Sequence, residues 1–159
     1  MSDFIRVICN SIQRLSSSEI AEFILEGVYF DEAPRFDPPP GTASDTAPDW
    51  QTLAVYHQAG KRPIIFHKSV NDRLMRMEVD EIIEEDLAGK QTAAAETLRR
   101  RLSRCYQTVA IEINPTGLTE EAWEMLDSIE AYLARKYQGI IYVPDDGFFD
   151  ASLQKINLT

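Results

Sequence analysis

The sequence predicts an α+β fold: a ferredoxin-like β-α-β-β-α-β sheet, extended by an additional helix and a C-terminal strand or hairpin, with the helices mainly on one face. Three observations predict it. Short β-branched apolar runs alternate with longer segments whose apolar residues recur every three to four positions. Two of those longer segments begin after a hydroxyl residue suited to capping a helix and end at glycine. Two further strand-like runs are joined by a short glycine turn. At 159 residues the chain is read as one domain, able to bury about two-thirds of its unfolded surface.

Taken in order, FIRVIC (4–9) is apolar at both alternations and reads as a strand covered on both faces. In LSSSEIAEFILEG, Ser16 caps a helix, Glu19 reaches back as in a capping box, Leu15 and Ile20 form a hydrophobic staple, and Gly27 stops the helix. GVYFDE (27–32) then reads as an aromatic strand.

A Pro-rich loop follows at about 31–49, too poor in apolar residues to build a core of its own. It is read as a surface excursion pinned by Phe36 and Trp50, with a partner-binding loop or lid as the competing reading. WQTLAVYHQAGKRPIIFHK forms a hairpin, Gly60 supplying the turn and Pro63 tolerated near a strand's start.

From Asn71 to about Ser103 the pattern is helical. Leu74, Met75, Val79, Ile82 and Ile83 fall at helical spacing, and Gly89 breaks or kinks the segment. QTVAIEI is the next strand. In LTEEAWEMLDSIEAYLARKYQG, Thr119 caps, Leu118 and Trp123 staple, and Gly139 terminates. Ala122, Met125, Leu126, Ile129, Leu133 and Tyr137 share one face of that helix.

The strand-helix-strand grammar occurs twice and reads as shared capping physics rather than a repeat. The first strand and QTVAIEI are expected to be antiparallel neighbours, which brings Cys9 close to Cys105, both as reduced thiols.

Composition limits the partners. Sixteen Lys and Arg face twenty-six Asp and Glu, a formal charge of −10, which repels phosphate backbones and anionic headgroups. Neither nucleic acid nor membrane is expected as a partner. No apolar run approaches the roughly 20 residues of a membrane span, and MSDFIRVICN lacks the regions of a secretion signal. Two cysteines without C-x-x-C spacing form neither a disulfide framework nor a zinc or redox site. The expected location is cytoplasmic.

GIIYVPDDGFFDAS (139–152) gathers carboxylates and rings. IIYV is a strand, Pro144 presets a turn, and Asp146-Gly147 suits a tight hairpin. Asp145, Asp146 and Asp150 could hold Ca²⁺ or Mg²⁺ only by converging, and their spacing is wrong for a calcium loop, so no metal is expected. Phe148 beside these acids offers a recognition surface, although one of the two adjacent phenylalanines should face the core.

His57 and His67 lie near opposite ends of the hairpin and should not meet. Either could act as a general base with a carboxylate; the plainer reading is a polar sheet residue. The chain contains no G-x-x-x-x-G-K-[ST], G-x-G-x-x-G or G-x-S-x-G motif. EVDEIIEED is acidic, whereas LRRRLSR carries Arg99, Arg100, Arg101 and Arg104. Solvated helix faces and the helix dipole account for both, and an anion-docking group at 99–104 is the sharper reading.

These features predict a non-catalytic protein-binding or regulatory role for an acidic surface, with no cofactor and a partner that is basic. An inhibitor or immunity-type antagonist has this character, though no motif identifies a family. The expected binding residues are Phe36, Trp50, Asp145, Asp146, Phe148 and Asp150. The alternative is an enzyme or small-ligand-binding protein with a His/carboxylate site under the Pro-rich loop. Self-association into a homo-oligomer through an uncovered sheet edge is a third reading.

Overall fold

The computed structural model describes residues 3–41 and 50–159; the later part of the Pro-rich segment, 42–49, lies outside the described residues. The chain folds as an α+β protein: β1 (Asp3–Cys9), α1 (Ser17–Gly27), β2 (Arg35–Asp37), β3 (Thr52–Tyr56), β4 (Ile64–Val70), α2 (Arg73–Asp86), α3 (Ala93–Ser103), β5 (Gln107–Ile113), α4 (Glu120–Lys136), β6 (Gly139–Val143) and β7 (Gly147–Phe149). A short 3₁₀ turn, Pro115–Gly117, precedes α4. No helix among the described residues is long and apolar enough to cross a membrane.

The strands form one open sheet in the order β2-β3-β4-β5-β1-β6-β7, each neighbour antiparallel. The strand order differs from a ferredoxin-like sheet, in which the first strand lies between the last strand and the hairpin; here β5 stands between β1 and the β3–β4 hairpin. Here β1 lies between β5 and β6 and runs against both, with Val7 opposite Val109 on one side and Ile141 on the other. The segment 27–32 does not form the expected strand. The strand after α1 is instead Arg35–Asp37, inside the expected loop and at the far edge of the sheet.

The helices are also divided differently from expectation. Alternation along β1 sends Val7 and Cys9 to one face and Ile8 to the other. On the first face, α1 and α4 pack with Leu53, Val55, Phe66, Val109 and Ile111 in the larger core. On the second face, Met75 and Val79 of α2 and Leu98 and Leu102 of α3 pack on Ile8, Ile140 and Tyr142. Two helices therefore lie on each face rather than most on one. The second face of β3, β4 and β5 stays half-buried at Ala54, Ile65, Ala110 and Glu112, outside both cores.

The helix starts follow the sequence. Side chains of Ser16, Asp72, Thr92 and Thr119 each accept the backbone N–H three residues on. Gly89, at φ +73°, lies in the break between α2 and α3, as expected. The helix ends are more informative. After α1 the left-handed residue is Val28 (φ 48°), and after α4 it is Gln138 (φ 55°). The neighbouring glycines serve a different need: a Cβ on Gly27 would meet the Tyr29 ring at 2.2 Å, and one on Gly139 would meet Val7 Cγ1 at 2.8 Å. At Gly139 the Ala134 backbone and the Val7 and Cys9 side chains leave no room for a Cβ, whereas at Gly27 the space is taken by the movable tip of the Tyr29 side chain.

The two cysteines come together as expected, since the Tyr106 N–H donates to the Cys9 carbonyl at 2.8 Å. Both are buried and free, Cys9 in the first core and Cys105 in the second.

Candidate functional site

The site begins with strand alternation. Leu53 and Val55 of β3 point into the first core, and two residues further His57 lies on the same side where the strand ends. Phe30, in the segment leaving α1, sets its ring 5.5 Å from the His57 ring. The first turn of α4 adds Thr119, whose hydroxyl oxygen accepts the Ala122 N–H, and Glu121. Asp31 and Glu32 complete a cavity of about 500 Å³. A second cavity of about 380 Å³ shares Glu32, His57, Gln58 and Ala59 and continues to Arg35, whose guanidinium lies 4.3 Å from the Tyr56 ring centre. Val28, which turns the chain toward this wall, takes a left-handed conformation that a β-branched residue adopts at a cost of about 1–2 kcal/mol.

His57 is 7% exposed, and neither ring nitrogen has a hydrogen-bond partner among the described residues. Burial lowers its pKa. The Arg62 backbone, outside hydrogen-bonding geometry, opposes the shift, and Lys61 adds to it. The ring is therefore neutral at pH 7, with one unused donor and one unused acceptor. Around it stand three carboxylates, which only accept, and an aromatic ring. Such a wall suits an ammonium or guanidinium group, which can donate to carboxylates and rest on a ring face.

His67 lies on the opposite side of the sheet, and the two histidines do not meet, as expected. Its Nε2 is 2.9 Å from Glu112 Oε1, with the Phe4 ring 6.1 Å away. This is a histidine–carboxylate pair of the type general-base chemistry uses, set on the half-buried sheet face.

The residues expected to bind a partner divide into rings and acids. Phe36 (5% exposed), Trp50 (6%) and Phe148 (1%) are core, so their rings offer no contact surface. Trp50 donates its indole N–H to the Leu15 carbonyl at 2.7 Å and lies under Lys68 Nζ at 5.0 Å. Phe148 packs 5.0 Å from Tyr142. The acids belong to the β6–β7 hairpin and the turn after it. Asp145 is left-handed (φ 67°), Asp146 lies 3.9 Å from Lys155, and the Asp150 carboxylate accepts the N–H groups of Ser152 and Gln154. These carboxylates do not converge; among the described residues no three His, Cys, Asp or Glu side chains are grouped to hold a metal ion.

Reasoning from the sequence missed Phe30, Asp31, Glu32 and Glu121 as partners of His57. Only the adjacency of an aromatic and two acids in GVYFDE hinted at Phe30, Asp31 and Glu32, and nothing singled out Glu121. No family model, curated protein or solved structure matches the chain.

Proposed function

We propose that this chain is a non-catalytic protein-binding or regulatory domain that receives a basic group of a protein partner in the cavity beside His57. The observation that carries the reading is the lining itself: Asp31, Glu32 and Glu121 around Phe30 and a buried neutral imidazole with unused hydrogen-bonding capacity. The overall charge of −10 supports it, because such a field speeds the approach of a basic partner. An inhibitor or immunity-type antagonist of a basic enzyme is one form this role takes.

The test uses a short arginine-containing peptide and a glutamine-substituted twin, titrated into the full chain while the ring and backbone signals of His57, Phe30 and Glu121 are followed by NMR. Saturable shifts with the arginine peptide alone, weakening as salt rises and lost in the Asp31→Asn/Glu121→Gln double variant, are expected. Equal response to both peptides, or an unchanged response in the double variant, contradicts the reading.

A second reading, an enzyme or small-ligand-binding protein with a His/carboxylate site, is favoured by the His67–Glu112 hydrogen bond. It requires the pair to touch the ligand or substrate, so a His67→Gln variant that keeps the small-molecule binding and any activity of the native protein removes it.

A further inference from the structure

We propose that Thr97, Arg100, Arg101 and Arg104 of α3 and its cap, with Asn10 beyond β1, form a binding site for a phosphate monoester. The spacing of the four helical residues places them on one side of α3. Together with Asn10 they line a cavity of about 470 Å³ with no carboxylate in its wall among the described residues. A smaller cavity of about 240 Å³ beside Lys61 and Arg62 also lacks a carboxylate among its described lining residues, but it does not gather three arginines as this one does.

The arginines of this segment are not equivalent. Arg99 donates to the carbonyls of Leu87 and Lys90 and to Glu96, fastening the turn between α2 and α3. Arg101 is held at the cavity wall: it donates to the Gln138 carbonyl at 3.1 Å and toward Asn10 Oδ1 at 3.5 Å, while Asn10 Nδ2 donates to the Arg101 carbonyl at 2.7 Å. Arg100 and Arg104 are exposed, and neither guanidinium has a partner among the described residues. The negative end of α3 accounts for cations in its last turn. It does not account for two unpaired forks beside a third that is already positioned, with a threonine hydroxyl and an asparagine amide alongside.

Tetrahedral phosphate oxygens match guanidinium forks in pairs, and each charge-assisted contact is short and strong. The long-range field selects for size of charge. A polyanion must lie along an acidic surface and is repelled, whereas a compact dianion meets the arginines within the roughly 8 Å screening length at physiological salt. The cavity is large enough for a phosphate group with a small organic body. That group belongs either to a free small molecule or to a phosphorylated side chain. The site lies near the end of α4 opposite to the His57 cavity and on the other face of the sheet, so the two readings stand or fall separately.

The experiment titrates the full chain with inorganic phosphate against sodium chloride of matched ionic strength, following backbone and arginine side-chain NMR signals. Saturable shifts at Asn10, Thr97, Arg100, Arg101 and Arg104 with phosphate alone are expected. Arg100→Gln/Arg104→Gln should weaken binding about tenfold or more, and Arg100→Lys/Arg104→Lys should weaken it less, since charge remains and the fork is lost. Unchanged melting of both variants shows that the loss is local. Phenyl phosphate and a phosphoserine peptide then separate the sources: tighter binding of the first assigns a free small phosphate, of the second a phosphorylated protein. Shifts that chloride reproduces, or wild-type affinity in the glutamine variant, overturn the proposal.

Discussion

The Glu19 carboxylate accepts the hydroxyl of Tyr137 at 2.6 Å, joining the first turn of α1 to the C-terminal cap of α4. It also accepts the Tyr132 hydroxyl at 2.6 Å and the Lys136 ammonium at 2.8 Å. The residue that local grammar assigns to a capping box thus binds another helix, and only the Ser16 half of the box forms. Burial alone raises the Glu19 pKa, but the hydrogen bonds from Lys136, Tyr132 and Tyr137 outweigh it and hold the group below its ordinary value. A depressed carboxyl contributes stability that is present above its unfolded pKa and lost as pH falls through the folded one. Glu19→Ala should cost about 2–3 kcal/mol at pH 7. Urea unfolding at several pH values checks this: the loss of stability below the ordinary carboxyl value of 4.5 should be shallower in the variant.

Glu130 gives the opposite sign. It lies on the buried face of α4 between Ile129 and Leu133, and burial, with Asp127 adding to it, pushes its pKa up to about 8. The folded state then keeps a proton that the unfolded state releases from about pH 4.5 upward, so stability falls as pH rises from there to about 8. Glu130→Gln should stabilise the protein by about 2 kcal/mol at pH 8 and leave it nearly unchanged at pH 4. Melting temperatures at the two pH values measure the difference.

The thiols should be silent until the protein opens. Burial foremost, then Cys105, raises the Cys9 pKa to about 12, with Arg101 pulling the other way; burial also raises Cys105. At pH 8 the Cys9 thiolate is about a thousandfold scarcer than for a thiol at the ordinary value. Reaction with a disulfide reagent should count no fast thiol in native protein and two in denaturant. A fast native thiol contradicts the buried placement.

Local chemistry made much of this fold legible. Ser16 and Thr119 mark helix starts in any sequence, Gly89 marks a break, and both-sided apolarity in FIRVIC marks a strand covered twice. The side of the sheet on which α2 and α3 settle was not legible, because an amphipathic helix specifies that it buries a face and not against which surface. Phe36 and Trp50 read as loop anchors, and the anchoring is real, but nothing local shows that they are wholly enclosed. The candidate site was the least readable part. Phe30, His57 and Glu121 are brought together only by the sheet and the helix across it, and each alone resembles an ordinary polar or aromatic surface residue. The arginine face was visible as composition, while the division between Arg99 as a fastener and Arg100 and Arg104 as unpaired forks arises only from the folded arrangement of α3 against the α2–α3 turn.

The central position of β1 bears on how the chain reaches this state. Its partners, β5 and β6, are synthesised only after the whole middle of the chain, so neither side of the strand can zip up from a nearby turn. Closing those long loops costs entropy before any pairing repays it, which places the molecule among slow, high-contact-order folders. Until β5 emerges, FIRVIC is an apolar segment without its sheet neighbours, the kind of stretch that chaperones shield.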